Sequence, residues 1–329
     1  MAAVGPADTR SVTMKRRFVT LDVFTTRPLA GNPLAVVLDA EGLDDPTMQA
    51  IAREFNLSET VFVFPATDSS SRARLRIFAP ATELPFAGHP TVGTAVILGQ
   101  LDGARQREFV LEENVGAIAC RFRSTGTQSG WAAYTVPRTP SRQAAGPAAD
   151  AMAGALGLSI NDFDIERYPV ERWSAGNPFS FVPIRSLDAM RRCAIELARF
   201  EKAFGSDSPA AAFLFCRETT DSGSAFHARM FAPYLGMLED PATGSAVAAF
   251  AGYLAAHGRY ADGEHILPIE QGYEMGRPSL MELTIEISGG KLTRAAIAGD
   301  AVVVTEGILQ VGVQSVGNRD EPGSRTPHC

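Results

Sequence analysis

Arg76-Ile77-Phe78-Ala79-Pro80 recurs as Arg229-Met230-Phe231-Ala232-Pro233, and this repetition decides how the chain is organised. Downstream, His89-Pro90-Thr91-Val92-Gly93-Thr94-Ala95-Val96 recurs as Asp240-Pro241-Ala242-Thr243-Gly244-Ser245-Ala246-Val247. Upstream, Ala30-Gly31-Asn32-Pro33 recurs as Ala175-Gly176-Asn177-Pro178. The displacements are 153, 151 and 145 residues, so three landmarks keep their order with small insertions between them. Chance supplies one such match more readily than three in order. The chain therefore reads as two copies of one domain, each carrying a short loop that opens a helix. Facing copies would build one cleft between them.

A length of 329 residues is about twice the usual domain and agrees with two copies. The apolar fraction of 45% and charged fraction of 20% suit a packed core. A net charge of −7 offers no basic face to nucleic acid. Cys120, Cys193, Cys216 and Cys329 lie far apart, without CxxC spacing, which argues against a zinc site and against a disulfide scaffold. A reducing cytoplasm is the expected compartment. No apolar stretch reads as a secretory signal or as a membrane span. Residues 1–16 and 313–329 read as mobile tails. The repeats are expected over 17–136 and 151–312, with the Pro-, Ala- and Gln-rich stretch 137–150 as linker.

Strands are expected at 18–24, 34–38, 61–64 and 73–78, then a meander over 107–112, 115–123 and 131–136. Asp45-Pro46 is expected to open a helix to about Phe55, with Asp45 as N-cap. The second copy repeats the outline with helices near 149–157 and 187–202. Its strands fall near 179–184, 211–217 and 225–231, with a final set near 265–270, 281–288 and 295–304. A helix from Pro241 to His257 should stop at Gly258. Val92–Leu98 and Ala242–Ala256 carry no charge, so both repeated helices should be buried. The predicted fold is α+β: two pseudo-symmetric domains, each a mixed sheet wrapped around a central helix.

Small residues crowd both helix starts: Thr91, Gly93 and Thr94 in one, Thr243, Gly244 and Ser245 in the other. The first N–H groups of a helix lack intrahelical partners and carry partial positive charge. Two such ends aimed at one cleft would hold a carboxylate and stabilise an adjacent enolate-like charge. Capping alone would explain Asp240-Pro241 as well. His89 is a poor N-cap, and at the matching position stands Asp240, so proton transfer or anion binding is a reasonable assignment for the histidine. Glu59 sits between a helix end and the apolar strand Val61-Phe62-Val63-Phe64. There it is either a partly desolvated base or a solvated loop glutamate, and the residues alone favour the second.

Several motifs together change that balance. Asp22-Val23-Phe24, Gly31-Asn32-Pro33-Leu34-Ala35-Val36-Val37 and Asn56-Leu57-Ser58-Glu59-Thr60 resemble the PhzF-like (phenazine biosynthesis) family. So do Leu84-Pro85-Phe86-Ala87-Gly88-His89-Pro90-Thr91, Glu239-Asp240-Pro241-Ala242-Thr243-Gly244-Ser245-Ala246 and Gln271–Ser279. The resemblance covers residues 18 to about 305. It implies the diaminopimelate-epimerase fold and cofactor-independent, metal-free proton transfer on a small unsaturated amino or carboxylic acid. An isomerase acting on trans-2,3-dihydro-3-hydroxyanthranilate is the nearest pattern. By motif, Glu59 becomes the general acid/base, and His89, Asp240 and Ser245 the other catalytic residues. Gly88, Gly244, Pro90 and Thr243 bind substrate. A homodimer is implied too. Arg277 reads as a structural ion pair rather than a cleft cation.

Two-cysteine racemisation, the habit of epimerases with this fold, lacks its thiols here. A serine hydroxyl cannot replace a thiolate as a carbon base. An epimerase working through Glu59 and His89, or a family member that binds without catalysis, are the remaining alternatives. Specificity is expected from segments 174–179 and 231–237.

Overall fold

The computed structural model describes residues 12–205, 210–236 and 238–313; the expected tail segments 1–11 and 314–329 lie outside the described residues. The first copy supplies β1 (Val12–Val23), β2 (Asn32–Val37), α1 (Asp45–Phe55), β3 (Glu59–Phe64), β4 (Ala73–Phe78) and β5 (Glu83–Leu84). It continues with α2 (Gly88–Leu101), β6 (Gln106–Glu113), β7 (Gly116–Ser124), β8 (Ser129–Thr135) and β9 (Ser141–Ala145). The second supplies α3 (Ala149–Leu156), β10 (Glu171–Ser174), β11 (Pro178–Pro183), α4 (Leu187–Arg192), α5 (Leu197–Phe204), β12 (Ala212–Cys216) and β13 (Phe226–Phe231). It ends with β14 (Glu239–Asp240), α6 (Gly244–His257), β15 (Gly263–Gln271), β16 (Ser279–Ser288) and β17 (Lys291–Val313).

The two copies pair their strands in the same way. β1–β2 and β10–β11 are antiparallel. β2–β3 and β11–β12 are parallel, β3–β4 and β12–β13 antiparallel, and β4–β6 and β13–β15 parallel again. Each parallel pair brackets a crossover containing a helix, as parallel connections require. The predicted α+β class and its two pseudo-symmetric halves are therefore what the chain forms.

At the ends of the copies the strands are exchanged. β17 lies beside β16 and β8 over its first part and then, from Ala301, runs along β1. Pairing thus passes from β1 through β2, β3, β4, β6, β7 and β8 to β17 and back to β1, a closed ring. Conversely β9 leaves the first copy to pair with β10. The stretch 137–150 is therefore not a loose linker, because β9 forms within it. Residues 12–16, expected in the N-terminal tail, are paired strand, and 301–312 complete the first sheet rather than the second. Sequence order hides this exchange because both crossing strands look like ordinary ends of their own repeat.

The two charge-free helices occupy the interiors. α2 is buried from Gly88 to Gly99 and touches β1, β2, β3, β6, β7, β8 and β17. α6 is buried over nearly its whole length and packs on β9, β10, β11, β16 and β17. A helix apolar around its circumference has no stable place except such an interior. Phe181, Phe215, Phe250 and Tyr253 stack around α6, with the Phe250 and Phe215 centroids 4.8 Å apart.

Local details differ from expectation in four places. α1 is capped by Asp44, whose carboxylate accepts from Thr47 N, one residue before the expected Asp45. The helix expected at 187–202 is split, because Glu196 caps α5 from outside it. α6 begins at Gly244 rather than Pro241. Its end has Gly258 at φ −80°, and Arg259 is the residue with positive φ.

Candidate active site

The starts of α2 and α6 touch. A Cβ added to Gly88 would lie 2.6 Å from Gly244 C and 2.8 Å from Ser245 N, and one added to Gly244 would lie 3.1 Å from Gly88 Cα. Only glycine at both positions lets the two backbones approach this closely. The convergence expected from the repeat is thereby seen directly.

The repeat correspondence itself needs correction. β5 pairs Leu84 with Ile77 and Glu83 with Phe78, while β14 pairs Asp240 with Met230 and Glu239 with Phe231. With Gly88 and Gly244 as the two helix starts, His89 corresponds to Ser245 and Asp240 to Leu84. Asp240 is thus not the counterpart of His89. Nor is it an N-cap: Thr243 holds that position and makes no side-chain capping bond.

Glu59 is placed by the end of α1. Asn56 closes that helix in the left-handed region at φ 50°, its N–H donating to Ala52 O. Three residues later β3 begins, with Glu59 registered against Leu34 of β2. The carboxylate is buried at 8% exposure. Its Oε2 lies 3.2 Å from His89 Nε2, yet the pair is not aligned for a hydrogen bond, and neither atom has one among the described residues. Burial, and then the nearby Asp240 charge, hold Glu59 well above the usual carboxylate range. Burial pushes His89 down to about 3, so its imidazole is neutral.

Asp240 is equally buried and is more fully bonded. Its Oδ2 accepts from Thr243 Oγ1 at 2.6 Å, and its Oδ1 from Asn32 Nδ2 at 2.9 Å and Ser58 Oγ at 3.2 Å. Desolvation raises it to about 6 despite these three donors. Asn32 was quoted in the repeat but not as a site residue, and it proves central. Its Nδ2 also faces Ala242 O at 2.9 Å and His89 Nδ1 at 3.2 Å. That geometry makes Nδ1 the acceptor and leaves the imidazole hydrogen on Nε2, toward Glu59. Gln271 fixes the same loop, donating to Asp240 O at 2.6 Å while Thr243 N donates to its Oε1 at 3.2 Å. Arg277 donates to Asp22, to Gly31 O and to Ala30 O, and so ties the Gly31-Asn32 turn to the second half. The ion pair expected of it is the one with Asp22.

Glu59, Asp240, Thr243 and Ser245 share a small enclosed cavity with Leu84, Ala87, Asn177, Phe179, Met230 and Tyr234. Asn177 and Phe179 of the segment 174–179 and Tyr234 of the segment 231–237 thus contribute to it, residue 237 lying outside the described residues. His89 lies behind Glu59, while Gly88 and Pro90 are buried in the first turn of α2 without lining the cavity. Among the described residues no lysine, arginine or cysteine lines it. Among the described residues no group of side chains has metal-ligand geometry, and no helix is long and apolar enough to cross a membrane.

The profile of the phenazine biosynthesis-like protein family matches residues 21–307. An uncharacterized isomerase of Mesorhizobium japonicum is 46% identical, over 89% of this chain and 98% of the relative. The trans-2,3-dihydro-3-hydroxyanthranilate isomerase of Pseudomonas fluorescens is 37% identical, over 89% of this chain and 98% of that enzyme. The crystal structure of the PhzF-family phenazine biosynthesis protein of Bacillus anthracis superposes with a TM-score of 0.81 at 28% identity, over 91% of this chain and all of that one.

Proposed function

Because this chain belongs to the PhzF-like phenazine biosynthesis family and is an isomerase, we propose that it shifts a double bond in a small unsaturated amino acid, with Glu59 as the group that carries the proton. The observation behind this reading is a buried carboxylate with a raised proton affinity, placed beside the joined starts of two helices. An ionised Glu59 takes a proton from a substrate carbon. The electron pair left behind delocalises toward the substrate's carboxylate, where backbone N–H groups at the helix starts stabilise it. Glu59 then delivers the same proton to a second carbon. The raised proton affinity makes its carboxylate a stronger base toward carbon than a solvated one would be.

His89 offers its Nε2 hydrogen to the Glu59 side of the cleft, and being neutral it can do so without competing for substrate charge. Asp240 and Glu59 form an acidic wall that suits a substrate ammonium. Ser245 and Thr243 supply hydroxyls at the start of α6. No step calls for a cofactor. The substrate on this reading is trans-2,3-dihydro-3-hydroxyanthranilate or a close analogue, and the assembly is a homodimer.

Running the reaction with that compound in D2O and following it by NMR tests the proposal. A product with displaced unsaturation is expected, its receiving carbon carrying mostly the protium that Glu59 took from the first carbon. Inversion of a centre with the double bonds left in place would instead identify an epimerase using Glu59 and His89.

A further inference from the structure

Building on the isomerase reading, we infer that Asn177 selects the substrate by hydrogen-bonding its neutral hydroxyl substituent, on the acid-free side of the cleft. The pseudo-symmetry supplies the reason. Asn32 opens β2 and Asn177 lies immediately before β11, in matching Gly-Asn-Pro turns. The registers Leu34 with Glu59 and Ser180 with Ala212 make Ala211 the counterpart of Glu59. With His89 matched to Ser245 and Asp240 to Leu84, the cleft consists of two half-sites of one design and unlike chemistry.

In the first half-site, Asn32 is wholly buried and its amide nitrogen is committed to Asp240, Ala242 O and His89. In the second, leucine and alanine replace both acids. Asn177 therefore has no carboxylate to hold, and among the described residues neither its amide nor the Ser245 hydroxyl has a hydrogen-bond partner. Both line the cavity, alongside Leu84 and Phe179. A substrate amine, protonated or neutral, is a donor and is best placed beside the two acids Glu59 and Asp240. A hydroxyl is then left for the neutral amide, which can both donate and accept.

The test uses two aromatic, non-isomerisable probes, anthranilate and 3-hydroxyanthranilate, titrated calorimetrically into wild-type protein and into Asn177→Leu. Asn177 is half-buried, and wild type should bind the hydroxylated probe up to about tenfold more tightly, the upper end for one neutral hydrogen bond. In Asn177→Leu the ratio should fall to about one while anthranilate affinity stays within about twofold, which also shows an intact cleft. Asn177→Ser should restore part of the preference. A ratio unchanged by Asn177→Leu, or a wild type that shows no preference, overturns the inference. Probe preference without any double-bond shift on the dihydro compound would instead overturn the proposed reaction and leave this subsite standing.

Discussion

Glu59 and Asp240 place two buried carboxyl groups in one small cavity; burial raises the proton affinity of both, and the Asp240 charge raises that of Glu59 further. With Glu59 as the proposed base, turnover needs it ionised, and its raised pKa should place the acidic limb of kcat/KM above the ordinary carboxylate value of about 4.5. Asp240→Asn removes a negative neighbour, so Glu59 should ionise more easily and the limb should move to lower pH, by about one unit or less. A pH-rate profile checks this, and an unmoved limb would mean that the Asp240 charge does not reach Glu59. None of these electrostatics was legible in the residues around Glu59, whose local pattern suits a solvated loop glutamate. Its burial comes from the β2 register and from a loop of the other half, nearly two hundred residues away. Only the motif resemblance singled it out. Asn32 escaped for a related reason: its partners Asp240 and Ala242 belong to the second copy, and an asparagine in a Gly-Asn-Pro turn ordinarily satisfies local backbone.

Glu113 and Gln271 end β6 and β15 at equivalent positions, since the registers Arg74 with Glu112 and His227 with Glu270 each place them one residue further on. Both anchor the segment that starts a central helix. Gln271 holds Thr243, and Glu113 accepts from Thr91 Oγ1 at 2.6 Å. Burial lifts Glu113 from 4.5 to about 8. A folded-state pKa above the unfolded one favours the protonated native protein, so this contribution is whole below about pH 4.5 and is lost as pH rises through about 8. Glu113→Gln copies what the second half already uses and still accepts from Thr91. Its melting temperature should exceed that of wild type by a margin that widens from pH 5 to pH 8; a constant margin would contradict the assignment. The central helices themselves were legible, because a fourteen-residue stretch without charge has few other places to go. Their exact starts were not. Pro241 matches Pro85 structurally, yet its Asp-Pro dipeptide resembles His89-Pro90 in spelling. The loop after Pro233 is three residues longer than the one after Pro80, and the spelling match at offset 151 falls five residues short of the structural offset of 156.

Across the whole molecule the decisive feature is that the two halves meet backbone to backbone at Gly88 and Gly244. The repeat predicted that meeting, whereas the exchange of β9 and β17 between sheets had no signal in composition or spacing. The cavity at the junction measures about 20 Å³, room for about one water. On the proposed reaction a ring-sized substrate requires the halves to part, and their closure is expected to bring the helix starts and Glu59 onto it. Gly88→Ala should hold the halves open by driving a methyl group into the Gly244 backbone. It should lower the melting temperature through overpacking worth about 1–3 kcal/mol and reduce kcat/KM by about a hundredfold, since small misplacements of reacting groups are costly. Unchanged kinetics in that variant would show that the contact is incidental. The account as a whole is tested most directly by the turnover number of Glu59→Gln on trans-2,3-dihydro-3-hydroxyanthranilate, measured beside its affinity for 3-hydroxyanthranilate. Loss of turnover by at least about a thousandfold with that affinity retained is the predicted result, in keeping with removal of the proton-carrying group. A Glu59→Gln enzyme that isomerises the compound at the wild-type rate would contradict it.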